Sequence, residues 1–181
     1  MTLYTPTTLT VDVTGEKLDL LTVLADQRNL LRLTVLRVTD EQARQRTTVS
    51  ELTLGGLIKH VAQAERASIS RIVERDENAV VDMNAIADAY TMGEQDTMAD
   101  LLVEYQKVAA ETEKAVAELG SLDDSIPLPT APWAPKREWC SARRLVLHVI
   151  RETAHHCGHA DIIRESLDGA TTMGALWQPE G

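Results

Sequence analysis

SARRLVLHVIRETAHHCGHADIIRESLDG, Ser141 to Gly169, is the stretch that decides the fold. Ser141 is a residue type that caps a helix N-terminus and Gly169 one that stops a helix, so a single long helix is expected to run to Leu167. Three more long helices are expected. The first opens at Thr14 or Gly15 and runs to about Val38, with Leu18, Leu21, Leu24, Leu31, Val35 and Leu36 on one face. Thr39 and Asp40 then cap a short helix, Glu41 to Arg46. The second long helix spans Leu54 to about Arg75, with Leu57, Ile58, Val61, Ala64 and Ser68 along its buried face. Gly55 and Gly56 are tolerable there because they fall in its first turn. The third follows Asp96 and Thr97 and carries Leu101, Leu102, Tyr105, Val108, Ala109, Thr112, Val116 and Leu119. Thr97 and Asp100 have the spacing of a capping box, and Gly120 reads as a terminator.

Between these helices lie two long connections. Glu77 to Gln95 is a loop with one weakly helical stretch, Asn84 to Tyr90. Ser121 to Cys140 carries Pro127, Pro129, Pro132 and Pro135, which exclude a regular helix. Loops of this length are uncommon in a compact domain and tend to border functional sites. No strand is expected, and Ala170 to Gly181 shows no strong pattern. The reading is an all-α four-helix bundle forming one domain over residues 1–181.

Composition narrows the function. The chain has 44% hydrophobic and 25% charged residues, ordinary for a globular protein. Lys plus Arg number 18 against 28 Asp plus Glu, a net charge of −10 that disfavours nucleic acid and anionic membranes as partners. No apolar run is long enough to cross a bilayer. No basic residue precedes Lys17 and no apolar run precedes it, so no secretory signal is expected. Cys140 and Cys157 lack CxxC spacing, and a reducing cytoplasm is the expected location. With no Phe at all, the core must be built from Leu, Val, Ile and Ala.

Of five histidines, four lie in the last helix: His148, His155, His156 and His159. At about 100° per residue, taking His148 as roughly 0° puts Glu152 near 40°, His155 near −20°, His156 near 80° and His159 near 20°. Leu145 and Ile163 point to about 60°, so these titratable groups are expected on the seam facing the core. Imidazoles and a carboxylate in such a seam need a partner, and a divalent metal supplies one. The pairs Glu152 with His156, His148 with Glu152, and His155 with His159 are each spaced to share an ion, and spacing alone does not choose among them. His60, in the second long helix beside Leu57, Val61 and Ala64, is the natural ligand from a facing helix. With Glu152 and His156 it would make a three-ligand set with an open position, the arrangement of a catalytic site. The plainer reading is a row of hydrogen-bonded or solvated histidines. No HExxH occurs, so a zincin-type protease is not supported. Cys157 falls near 180°, away from the histidines, and reads as a packing residue. Lys59, Arg66, Arg143 and Arg144 flank the site in sequence and read as solvated cations, with an anionic substrate as the alternative role.

LVLHVIRETAHHCGHADIIRESLDG from Leu145, ADQRNLLRLTVLRVTDEQARQR from Ala25 and TVSELTLGGLIKHVAQAER from Thr48 together resemble the DinB-like superfamily, in the branch of the mini-circle protein and the mycothiol-dependent transferases. The resemblance implies an up-down-down-up bundle with a divalent metal, zinc or nickel, held by three residues. One family ligand is a histidine in the second helix, matched by His60; the other two, four residues apart on the last helix, match Glu152 and His156. His148, His155 and His159 then fall at positions around the metal, as outer-sphere or substrate-facing residues. Relatives of this kind use a small thiol such as mycothiol in S-transferase or isomerase reactions, so the expected partners are a thiol and a small electrophile. A homodimer is compatible with the reading. One departure stands out: after His60 and Glu65, many relatives carry aromatic residues where this chain has Arg66-Ala-Ser-Ile-Ser-Arg71. The competing readings are a non-catalytic metal- or small-ligand-binding stress protein, and a helical interaction protein whose histidines only pack.

Overall fold

Four helices of 20 to 27 residues form the frame of the computed structural model, which describes residues 5–177. They are α1 (Gly15–Thr34), α3 (Leu54–Glu74), α5 (Met98–Glu118) and α6 (Ala142–Asp168). Shorter pieces lie between them, α2 (Asp40–Ala43) and α4 (Met83–Asp88), and α7 (Thr172–Trp177) follows the last. The side-chain bridges fix the course of the chain. Arg143 meets Glu16 and Arg164 meets the Thr34 carbonyl, so α1 and α6 run parallel. Arg66 pairs with Glu104 and Thr112 donates to Glu65, while both reach α3 from α5; the packing of α5 on α3 is likewise parallel, as Val73 and Glu111 border one cleft farther along. His60 faces His156 whereas Arg71 lies near Arg144, so α3 and α6 are antiparallel. The bundle is therefore up-down-down-up, as the resemblance implied.

The interior is two apolar clusters separated by a polar layer. One holds Leu31, Leu57, Ile58, Val61, Tyr105 and Ile163; the other holds Leu21, Ile69, Ile72, Val116, Leu145 and Val146. Between them Arg28 of α1 crosses the bundle to pair with Glu65 of α3 and lies 3.5 Å from Glu113 of α5. Thr112 also donates to Glu65, at 2.6 Å. Burying a guanidinium is tolerable only with such partners.

Several ends differ from the sequence expectations. α1 stops at Thr34 rather than Val38, because Val35 and Leu36 close tight turns onto Arg32 and Leu33 and Arg37 takes a left-handed φ of 61°. Arg164 then donates to the Thr34 and Leu36 carbonyls at 2.9 Å, satisfying groups the helix end leaves open. The short helix is Asp40–Ala43, held by a reciprocal box between Thr39 and Gln42. Thr97 caps α5 by accepting from the Asp100 amide, but the Asp100 carboxylate accepts from the Thr97 hydroxyl instead of completing a box. Gly120 does not take a left-handed φ, whereas Gly169 does, at 79°. The absence of strands is overturned in a small way: Ser125–Pro127 (β1) and Trp139–Ser141 (β2) pair antiparallel, tying the proline-rich loop back to the start of α6. Cys140 thus lies buried in β2 rather than in a loop. The tail contains α7, while 178–181 lie outside the described residues.

Gly55 and Gly56 do more than survive a first turn. A Cβ at Gly56 would lie 2.1 Å from the Tyr90 carbonyl, and one at Gly55 would lie 2.3 Å from the Met92 sulfur. The bare backbone lets the segment after α4 lie directly on α3. Lys59, far from being a free surface cation, clamps the same segment through Asp88 and the Thr91 carbonyl, both at 2.9 Å. This packing is what brings Tyr90 to the next residue, His60.

Candidate metal centre

His60 projects from α3, and Glu152 and His156 from one face of α6, one turn apart. One ligand atom from each of the three lies within 4.8 Å of the other two. His156 Nε2 is 3.6 Å from Glu152 Oε2. Two donors bound about 2.0–2.1 Å from one tetrahedral ion sit about 3.4 Å apart, so this spacing suits a shared cation. His60 Nδ1 is buried without a hydrogen-bond partner among the described residues, a cost that a bound ion or a proton donor would remove. Two imidazoles and one carboxylate are also the donor set that first-row divalent cations favour.

The surroundings orient these side chains. Tyr90 stacks on His60 with ring centroids 3.9 Å apart, and its hydroxyl lies 3.0 Å from His60 Nε2. The two Nδ1 atoms of His159 and His156 are 3.4 Å apart, which leaves His156 Nε2 directed at Glu152. Arg151 donates to Glu152 Oε1 at 3.0 Å and to His148 Nδ1 at 2.8 Å. His148 in turn lies 3.6 Å from Glu152. His155 is exposed and meets the others only by edge contacts with the rings of His156 and His159.

Residues 19–169 match the model of the mycothiol S-transferase family, a span that takes in most of α1 and all of α3, α5 and α6. The chain belongs to that family. It is a member of the DinB-like superfamily, as the three quoted stretches suggested. A crystal structure described as the conserved protein of locus from Enterococcus faecalis has a TM-score of 0.65 with this chain at 15% identity, covering 87% of this chain and 100% of that one. At that identity it speaks for the fold alone. No curated protein matches the chain.

In this mycothiol S-transferase family member a groove of about 530 Å³ opens beside His60. It runs along the outer face of α3 past Ala64 and Ala67, and is roofed by Val81, Ile86, Pro129 and Trp133 from the two long loops. Both long loops therefore line this groove. Trp133 and Ile86 supply apolar surface to a groove whose α3 side carries no Phe, Tyr or Trp.

Burial is the main influence on the imidazoles. It pushes His156 down to about 4, helped by the neighbouring His60, and it lowers His60 and His148 despite the nearby Glu152 carboxylate. For Glu152 burial works upward, yet the Arg151 hydrogen bond and the fields of His148, Arg151 and His156 outweigh it and hold the carboxylate below its ordinary range. At neutral pH the set is thus two neutral imidazoles and an ionised carboxylate, each in its metal-binding form. A stability effect follows. An unfolded histidine titrates near ~6.5, so between that pH and about 4 the unfolded chain binds a proton that folded His156 refuses. The metal-free protein should lose stability as pH falls through that window, by up to about 1.4 kcal/mol per pH unit from this group. Thermal melts at pH 7 and pH 5 should show a shallower loss in His156→Gln than in wild type.

His60, Glu152 and His156 are brought together, and His148 and His159 touch that set; His155 is left at its solvent edge. The wheel misplaced the core by part of a turn. The buried residues of α6, from Ala142, Leu145 and Val146 to Cys157, Ala160 and Ile163, centre beyond His156, so the histidine row flanks the core and only His156 enters it. Cys157 packs in the core and its thiol is pushed up to about 11 by burial. Tyr90 and Arg151 went unnoticed in the sequence. Arg151 adjoins Glu152 and could have been found; Tyr90 reaches His60 only through the fold of the long loop.

Proposed function

We propose that the chain is a metal-dependent enzyme that joins the sulfur of a small thiol, mycothiol in the first instance, to a small electrophile seated in the apolar groove. The convergence of His60, Glu152 and His156, with His60 also lining that groove, carries the reading. A divalent cation held by these three would supply a Lewis acid that keeps the thiol sulfur as thiolate near neutral pH. Glu152 contributes charge, and Arg151 and His148 keep its carboxylate ionised and aimed. His159, with its Nδ1 3.4 Å from His156 Nδ1, would hold the His156 ring with Nε2 toward the ion. Tyr90 covers the His60 ring and limits water on that side. The groove walls hold the electrophile by apolar contact and set its approach to the sulfur. In the reaction the S–H bond breaks, its proton passing to water, and an S–C bond forms as the electrophile releases its leaving group or takes up a proton.

The experiment is turnover by the metal-loaded protein with mycothiol, bacillithiol and glutathione against haloaromatic and unsaturated electrophiles, with Glu152→Gln as control. Rates that need both metal and one thiol support the reading. Metal bound without turnover for any pair would instead make the chain a binding protein. Filling the groove gives a separate check: Ala67→Phe, on the exposed face of α3, should raise KM for the electrophile about tenfold, the effect of losing roughly 1.4 kcal/mol of binding. Metal content should not change.

A further inference from the structure

A second cavity lies on the other side of Arg71, between α3 and α6. It measures about 380 Å³ and is bordered by Arg71, Arg144, Arg151, His148, Leu128 and Cys140. No acidic side chain lines it among the described residues, in a chain whose net charge is −10. Seven arginines have a carboxylate within 4.0 Å: Arg28, Arg46, Arg66, Arg75, Arg143, Arg164 and, at the edge of this cavity, Arg151 through Glu152. Arg71 and Arg144 have none among the described residues, and no side-chain hydrogen bond of either guanidinium is found there. Arg71 is half-buried, and burial works against its charge. The unpaired donors of Arg71 and of exposed Arg144 still reach solvent, so they are free to meet a ligand that enters the cavity. His148 adds to the set. Its Nδ1 accepts from Arg151, so the neutral ring carries its proton on Nε2 and has a donor to give.

We infer that this cavity is an oxyanion-binding subsite, in which Arg71 and Arg144 take a carboxylate or phosphate group of one of the two reactants of the neighbouring centre. The inference rests on the proposed reaction for the identity of the reactants, but not for the binding itself. The position suits a reactant of that centre, since His148 borders the cavity and lies 3.6 Å from Glu152. Planar guanidinium forks match two-oxygen groups, and arginine in place of lysine favours such recognition. The apolar groove on the far side of Arg71 leaves the second reactant its own place.

The test is calorimetric titration of the full chain, freed of metal, with inorganic phosphate and with succinate. Wild type should bind at least one of these probes. Arg71→Gln should weaken binding about tenfold or more, and the double variant Arg71→Gln, Arg144→Gln should abolish it, since each loses a charge-assisted hydrogen-bond donor. Arg66→Gln removes the same charge elsewhere on α3 and should leave binding unchanged. Unaltered melting of the variants is expected, because neither guanidinium holds an internal bond. No binding by wild type, or equal binding by the double variant, overturns the inference. The source of the group is read on the metal-loaded enzyme. A rise in KM in Arg71→Gln confined to carboxylate-bearing thiols assigns it to the thiol, and one confined to carboxylate-bearing electrophiles assigns it to the electrophile. Probe binding lost without a KM change for either overturns the link to the reactants. Absence of all turnover would defeat the proposed function and leave the binding result standing.

Discussion

Glu152→Gln should lower metal-dependent thiol transfer by about 10²–10³-fold or more while the bundle stays folded. A Lewis acid contributes several kcal/mol to such a step, and about 1.4 kcal/mol is tenfold in rate. The amide keeps the shape of the side chain but loses the charge that a divalent cation needs. The variant is a clean one because Glu152 sits at the flank of α6, half-buried, and makes its hydrogen bond with exposed Arg151 rather than with the core. His156→Ala should lose as much activity but also some stability, since that residue is only 5% exposed and fills space in the interior. Cys157→Ala should retain activity, because its sulfur packs among Leu31, Val61 and Ala160 and not at the centre. Steady-state rates with a fixed thiol, together with circular dichroism to confirm helix content, check all three.

The largest effect on stability is expected at the polar layer. Glu65→Ala should destabilise the fold by about 3–5 kcal/mol, the range for removing one partner of a buried pair. Glu65 is 1% exposed, and without it Arg28 would keep only the longer contact to Glu113 while the Thr112 hydroxyl would lose its acceptor. Replacing both partners, as Arg28→Met with Glu65→Leu, should recover most or all of that loss, because the desolvation of two charges is then avoided. Urea denaturation of wild type and of the two variants measures both effects. A single substitution costing under about 1 kcal/mol would mean that the layer is solvated and not buried.

The four long helices were legible because their ends carry local signals that the structure obeys: Thr53, Thr97 and Ser141 each cap the helix that follows, and Gly169 ends α6. The three residues that converge were legible as well. Four of the five histidines fall on one helix within twelve residues, which marks the site, and the family resemblance selects among pairs that helical spacing leaves equal. What failed depends on contacts far apart in sequence. The layer of Arg28, Glu65 and Glu113 joins three helices, and only Glu65, four residues after Val61 on the buried face, gave a local hint. The strand pair of Ser125–Pro127 with Trp139–Ser141 is too short, and too rich in proline beside it, to show periodicity. Tyr90 owes its place to Gly56 and Lys59 holding a loop against α3. The phase of α6 was misjudged because Leu145 and Ile163 lie at one margin of its buried arc, whose centre is set by Val149, Thr153 and Ala160.

The centre itself is tested most directly by elemental analysis after the protein is incubated with zinc or nickel and freed of unbound ion. The account predicts about one ion per chain for wild type and for His155→Ala, and a loss of nearly all of it in His60→Ala, Glu152→Gln and His156→Ala. Wild-type protein that takes up no ion, or Glu152→Gln and His156→Ala proteins that keep it, would contradict the account.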